Sequence, residues 1–285
     1  MKLALGTVQF GLDYGVTNNS GQVSKNEVVK ILAHADSMNM CMLDTAAAYG
    51  NSESIIGSLS TQHFNIVSKV PTLAKLNKSV IKCISESLIK LNRESIYGLM
   101  FHDENDLLSS KKPFNELAEA RSRGLVKKIG CSFYTINALQ KALDMKYEMD
   151  LIQIPFNCLD QRFLKSGLLK EAKSRGIEIH CRSLFLQGLL LDRNVSLPRT
   201  LIPFQKELTV FFKFCELCDI SPLMATLKLL QQTDEIDYGI VGCLSELQLS
   251  EITTAYQNVE NVDKYIDFKN LSSTNNILLN PTLWN

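Results

Sequence analysis

The chain has no surplus of charge of either sign: 30 basic and 30 acidic residues give a formal net charge of zero. Without a basic excess there is no field to draw in nucleic acid or an anionic lipid surface, so neither partner is expected. Also lacking is any apolar run near the roughly 18 residues that span a bilayer. The opening Met1-Lys2-Leu3-Ala4-Leu5-Gly6-Thr7 is too short to be a secretory signal, and Gln9 and Asp13 follow it closely. A disulfide framework is missing too. The eight cysteines are scattered, and Cys41, Cys131, Cys181 and Cys243 fall in or beside apolar runs, as small buried thiols do. A reduced, cytoplasmic compartment is therefore expected. Cys215 and Cys218 form one C-x-x-C with no second pair or suitably spaced histidine, so no metal site is expected. Finally, Gly6-Thr7-Val8-Gln9-Phe10-Gly11 lacks the G-x-G-x-x-G turn of an open, doubly wound dinucleotide-binding sheet.

What is present is a regular alternation. Apolar runs near 3–8, 40–44, 64–69, 96–102, 126–132, 151–155, 177–182 and 238–242 read as strands, with helical patterns between them. Ser24-Lys25-Asn26-Glu27 and Ser245-Glu246-Leu247-Gln248 fit capping boxes, and Ser221-Pro222 sets proline at a first helical position. The segments from Ala120 to Val126 and from Ala172 to Glu178 resemble each other. In both, a basic last turn meets the negative helix end, and Gly124 or Gly176 supplies a left-handed cap before the next strand. About eight such units predict a single-domain, closed (β/α)8 TIM barrel over residues 1–285. The Asn- and Ser-rich stretch from Asn270 reads as an irregular tail, 270–285, that folds over the barrel mouth or hangs free.

Four ionisable residues, Asp44, Tyr49, Lys69 and His102, stand at or just past strand ends. In a parallel barrel those ends converge on one mouth, where a carboxylate, a phenol, an ammonium and an imidazole make proton-transfer machinery. Ser132, Gln153, Arg182 with Ser183, and Gly242 add polar groups at later strand ends. Each taken singly reads as an ordinary loop polar residue; together they line one mouth. His34, His63 and His180 have no such company and carry no expected function.

The pattern resembles the aldo-keto reductases. The resemblance rests on Leu5-Gly6-Thr7, on Asp44-Thr45-Ala46-Ala47-Ala48-Tyr49-Gly50-Asn51-Ser52-Glu53, on Ser68-Lys69-Val70 and on Phe101-His102. Gly130 to Phe133, Gln153 to Asn157, Ser183 with Gly188, and Ile240-Val241-Gly242 leading to Glu251 follow in the same order. The resemblance implies a nicotinamide-dependent reductase of a small-molecule aldehyde or ketone. Hydride addition leaves charge on the carbonyl oxygen, so a proton donor must act as it develops. Tyr49 is the donor so implied, with Lys69 acidifying it, Asp44 keeping Lys69 charged and His102 aiming the carbonyl. The chain starts directly at the first strand, so the hairpin that plugs the barrel bottom in many relatives is expected to be missing or reduced.

The same resemblance implies cofactor contacts from Gly6, Thr7, Asp44, Ser132, Gln153, Arg182, Ser183, Leu184, Gly188, Gly242, Gln248 and Glu251. Ser132 and Gln153 match the holders of the nicotinamide carboxamide. Arg182 stands where many relatives set an aromatic ring beneath the nicotinamide, and a cation there should favour the reduced cofactor. Cys243, Leu244 and Gln248 replace the basic grip on a 2′-phosphate, although helix amides can hold phosphate unaided. NADP(H) is favoured by family habit, and NAD(H) stays open. Phe10, Tyr14, Phe133, Phe185 and Trp284 are expected to wall a substrate pocket, with Gln9 and Gln187 beside them, for a sugar-like carbonyl or an aryl aldehyde. Two rivals are a catalytically weak, cofactor-binding regulatory barrel and a Schiff-base lyase using Lys69.

Overall fold

Eight apolar runs become eight parallel strands in the computed structural model, which describes residues 1–73, 78–262 and 264–284. They are β1 (Leu3–Gly6), β2 (Met42–Asp44), β3 (Asn65–Val70), β4 (Ile96–Phe101), β5 (Val126–Ser132), β6 (Leu151–Pro155), β7 (Glu178–Arg182) and β8 (Tyr238–Val241). Each pairs with the next, and β8 returns to β1 through Leu3 opposite Gly239, Ala4 opposite Ile240 and Leu5 opposite Val241, closing the barrel. The period of two in a strand splits the apolar residues between two cores. Ala4, Met42, Val67, Met100, Leu151 and Ile240 form one buried cluster. Leu3, Leu5, Leu43, Ile66, Leu99, Ile129, Ile152 and Ile179 belong to a larger cluster with the surrounding helices. Burial on both faces is why these strands read as near-continuous apolar runs.

The helices are α1 (Val8–Gly11), α2 (Lys25–Ser37), α3 (Ser52–Gly57), α4 (Val80–Leu91), α5 (Glu104–Leu108), α6 (Lys111–Ser122), α7 (Ile136–Asp144), α8 (Arg162–Lys165), α9 (Leu168–Ser174), α10 (Gln205–Cys218), α11 (Pro222–Gln231), α12 (Glu246–Glu260) and α13 (Asn276–Leu279). The helix-start signals act as expected: Ser24, Ser221 and Ser245 accept from the amides of Glu27, Met224 and Gln248. Past the C-terminal ends of α6 and α9, Gly124 and Gly176 adopt φ of +75° and +76°, so the repeated segments are the same joint used twice. No helix among the described residues is long and apolar enough to cross a membrane.

One local expectation is corrected. The first strand ends at Gly6, because residues 8–11 turn into α1. Gly11 makes that turn fit: a Cβ there would lie 1.8 Å from the carbonyl oxygen of Tyr49, so only glycine lets α1 press against the loop that carries this tyrosine. The tail, short turns joined by irregular stretches, packs against the barrel. Short turns at Lys269–Leu271 and Pro281–Leu283 flank α13, and Leu278, Leu279 and Trp284 are buried. Ser273 N donates to Leu159 O, and Thr200 Oγ1 donates to Trp284 O, pinning the tail to the loops after β6 and β7. Asn285 lies outside the described residues.

At the opposite, N-terminal end of the strands, a polar cluster lies among the barrel's side chains. Glu178 accepts from Tyr97 Oη at 2.8 Å and from Lys128 Nζ at 2.5 Å, and it meets His180 Nε2 at 2.7 Å. The ring of Tyr238 lies edge-on to His180.

Candidate active site

Asp44 and Lys69 come from neighbouring strands and meet inside the barrel mouth. Lys69 Nζ donates to both Asp44 oxygens, at 2.6 and 2.5 Å, and to Thr45 O at 3.0 Å. Lys69 is 1% exposed and Asp44 3%, so solvent supplies neither with a counter-charge. Tyr49 follows β2 on a turn closed by its own amide to Ala46 O. Its ring lies 5.2 Å from Lys69 Nζ and edge-on to His102, centroid to centroid 5.8 Å. His102 directly follows β4, its amide donating to Val70 O. The four expected catalytic residues are thus brought together.

Burial sets their protonation. It pushes the His102 imidazole down to about 4, helped by the charges of Lys69 and Arg182, so the ring is neutral at pH 7. It also lowers the Lys69 pKa, against the pull of Asp44. The Tyr49 phenol is raised above its ordinary value, by burial first and the Asp44 carboxylate second, with Arg182 opposing. Burial and the Asp44 carboxylate thus work against the acidification expected from Lys69. The ammonium's charge is met by Asp44, and the phenol keeps its proton.

Ser132 and Gln153 end up side by side, as register partners across β5 and β6. Gln153 donates through Nε2 to Asp44 Oδ2 at 3.2 Å, which ties it to the four residues above. Ser132 Oγ and Gln153 Oε1 are buried and have no hydrogen-bond partner among the described residues. An unmet acceptor and an unmet hydroxyl on adjacent strands suit a primary carboxamide such as that of nicotinamide, since buried polar atoms are seldom left unpaired. Gly6 and Gly242 keep the backbone low at the mouth. A Cβ on Gly6 would lie 2.9 Å from Ile240 Cγ2, and one on Gly242 2.9 Å from Gln9 Oε1, itself buried and unpartnered. Thr7 Oγ1 is used structurally, donating to Asp44 O.

The loop after β7 is a strained strap. Ser183, Leu186, Gln187 and Gly188 all have positive φ, a conformation that non-glycine residues rarely adopt. Gln187 latches it to the loop after β1: its Oε1 accepts from Val16 N, its carbonyl from Thr17 Oγ1, and its Nε2 donates to Tyr14 Oη. Leu184 is buried beside Gly239, and Phe185 is buried as well.

Three of the expected pocket walls, Phe10, Phe133 and Trp284, are corrected. Phe10 and Phe133 are 0% exposed and belong to the helix-side core, so neither offers a face to a substrate. Trp284 is buried and donates to Ile277 O, where it anchors the tail. Tyr14 remains at the surface, 40% exposed. Arg182 stacks on Tyr134, its guanidinium carbon 3.8 Å from the ring centroid, so one face of the cation is already covered. The side chain of Gln248 is taken by the amide of Leu244, completing a cap at the start of α12, while Glu251 is exposed.

Two residues at the mouth were missed. Tyr134 was hidden behind Phe133, because one of two adjacent aromatics faces inward and periodicity in a loop does not say which. Glu27 was absorbed into its own capping box. Its carboxylate instead accepts from the amide of Glu246, the first residue of α12, at 2.8 Å. That bond, with help from Lys30, holds the Glu27 carboxyl below its usual range.

Fold and site together give a (β/α)8 barrel with a cluster of ionisable groups at the C-terminal strand ends, where barrel enzymes do their chemistry. The sequence profile of the Aldo/keto reductase family matches residues 2–269. The chain belongs to that family, whose members are NAD(P)H-dependent oxidoreductases acting on small carbonyl compounds. No curated protein matches it. Among solved structures, one from Pseudomonas aeruginosa assigned to the aldo-keto reductases is 23% identical, with 91% of this chain and 90% of that chain covered and a TM-score of 0.68. The holo form of an aldo-keto reductase from Bacillus halodurans is 16% identical, covering 94% of each chain at a TM-score of 0.73. At these identities the likeness carries the fold.

Proposed function

We propose that this protein reduces an aldehyde or ketone to an alcohol, with Tyr49 delivering the proton to the carbonyl oxygen. The observation that carries this reading is the Tyr49 phenol edge-on to the His102 imidazole, with its ring 5.2 Å from Nζ of a Lys69 paired with Asp44. A bound nicotinamide supplies the hydride. His102, uncharged, donates a hydrogen bond to the same oxygen and orients it. Tyr49 holds its proton until negative charge grows on that oxygen, and Lys69 stabilises the phenolate left behind. General acid help of this kind is worth roughly 10²–10⁴ in rate. Ser132 and Gln153 would hold the carboxamide through their unmet atoms.

The choice of cofactor follows from the start of α12, where the resemblance puts a 2′-phosphate. The amide of Glu246 is spent on the Glu27 carboxylate and that of Leu244 on Gln248, so a phosphate there meets a negative charge. We read this as NAD(H) being accepted at least as well as NADP(H), against family habit. Tyr14, partly exposed, remains as a candidate aromatic wall, which suits a sugar-derived or an aryl carbonyl. The three acceptors around Lys69 Nζ weigh against a Schiff-base lyase, because an ammonium so held is a poor nucleophile.

The test is Tyr49→Phe assayed by loss of reduced-nicotinamide absorbance over a panel of aldehydes, ketoses and nucleotide-sugar ketones. Turnover should fall by about 10²-fold or more, while fluorescence titration shows cofactor affinity retained. Equal turnover in the variant would overturn the assignment.

A further inference from the structure

Arg182 differs from most of the arginines. Arg121, Arg123, Arg162, Arg175 and Arg193 each hold a carboxylate, and Arg93 holds the carbonyl and hydroxyl of Thr61. Arg182 has no carboxylate partner among the described residues, and its one protein hydrogen bond is a long one, Nη2 to Phe133 O at 3.4 Å. Most of its five N–H donors therefore have no protein partner among the described residues. Its position is nonetheless fixed, because the guanidinium lies 3.8 Å over the Tyr134 ring. Tyr134 is held in turn, its amide donating to Glu104 Oε2 at 2.7 Å.

The carboxylates that might have neutralised it are engaged elsewhere. Asp44 is taken by Lys69 and Gln153. Glu104 accepts from Tyr134 N, Thr135 N and Thr135 Oγ1, and Asp103 accepts from Asn105. Arg182 shares the mouth with the reacting groups: its charge is felt at Tyr14, Tyr49, Lys69 and His102. With Asp44 and Lys69 cancelling and His102 neutral, a preoriented planar cation is left beside the carbonyl site. A planar fork of N–H donors is the geometry that binds an oxyanion through two oxygens.

We propose that Arg182, braced on Tyr134, binds an anionic group of the substrate, so that the protein acts on carbonyl compounds that carry a carboxylate or phosphate. This rests on the reductase reading above and narrows it to a substrate class.

The test measures binding separately from turnover. The enzyme saturated with oxidised cofactor is titrated calorimetrically with 2-, 3- and 4-carboxybenzaldehyde against their methyl esters, and with glyceraldehyde 3-phosphate against glyceraldehyde. In the wild type at least one anionic member should bind on the order of 10- to 100-fold more tightly than its neutral counterpart. Arg182→Gln should bring that ratio near one, and Arg182→Lys should restore part of it. The carboxylate pairs and the phosphate pair tell the two anions apart. No preference in the wild type overturns the proposal, as does a preference unchanged in Arg182→Gln. Loss of oxidised-cofactor affinity in that variant with the ratio intact also overturns it, assigning Arg182 to the cofactor. If the anionic aldehydes bind through Arg182 but no reduced cofactor is consumed with any carbonyl, the reductase reading fails while the anion site stands.

Discussion

The ammonium of Lys69 lies 2.6 and 2.5 Å from the two oxygens of Asp44, and both side chains are sealed inside the barrel mouth. Attraction in a dry site of this kind offsets the large cost of desolvating two charges, and removing one partner leaves the other unmatched. Asp44→Asn should therefore cost roughly 3–5 kcal/mol of stability at pH 7. The double change Asp44→Leu with Lys69→Met should recover most of that loss while remaining inactive. Urea unfolding of the three proteins checks this, and an Asp44→Asn protein as stable as the wild type would rule out a buried ion pair.

His102 makes stability depend on pH in a window fixed by its burial. Its imidazole titrates near 6.5 when unfolded and about 4 when folded. Between those values the unfolded chain binds the extra proton, so stability is full above about pH 6.5 and falls as the pH drops toward 4. The steepest slope this one group can give is about 1.4 kcal/mol per pH unit. His102→Asn should flatten that part of the profile. Thermal unfolding of both proteins from pH 7 to pH 4 is the measurement, and parallel profiles would mean that His102 is charged in the folded state.

Much of this was legible in the sequence, for identifiable reasons. Strand cores were readable because burial on both faces of a closed barrel makes them continuous apolar runs, and several strand ends because Asp44, Lys69, His102 or Arg182 closes the run. The joints at Gly124 and Gly176 were readable because only a left-handed cap explains a glycine after a basic helix end. What failed depended on direction in space. The sequence could not tell that Phe133 faces inward and Tyr134 outward onto Arg182. Nor could it tell that Glu27 reaches across to a helix 219 residues away. The closeness of Tyr49 to Lys69 was legible, but the size of the opposing effects of burial and Asp44 on the phenol was not.

Glu27 at the start of α12 gives a prediction about cofactor choice. Its carboxylate occupies an amide that an incoming phosphate would use, and its charge opposes one. Glu27→Gln should tighten NADPH binding about two- to fivefold, since a partly exposed charge at a helix start is worth only a fraction of a kcal/mol to about 1 kcal/mol. NADH affinity should change little. Fluorescence titrations with both reduced cofactors decide it, and an unmoved NADPH-to-NADH ratio would show that the 2′-phosphate binds elsewhere.

The cluster on Glu178 at the other end of the barrel is predicted to serve stability alone. Burial by itself would raise the Glu178 pKa, but hydrogen bonds with His180, Lys128 and Tyr97 outweigh it and hold the carboxyl at about 2. Because the folded value lies below the unfolded one, the stabilisation is present above about pH 4.5 and is lost as the pH falls toward 2. Lys128 is shifted the other way: burial disfavours its charge, yet the bonds to Glu178 and Tyr97 raise its pKa. Its contribution is therefore present below its ordinary value and disappears only in strong base. Glu178→Gln should cost roughly 3 kcal/mol at neutral pH, with the gap to wild type closing between about pH 4.5 and 2. Turnover per folded molecule should be unchanged, because Glu178 lies at the strand ends away from the mouth, where barrel residues secure the fold. Equal stability of Glu178→Gln and wild type at pH 7 would refute this, and so would a fall in turnover with the fold intact.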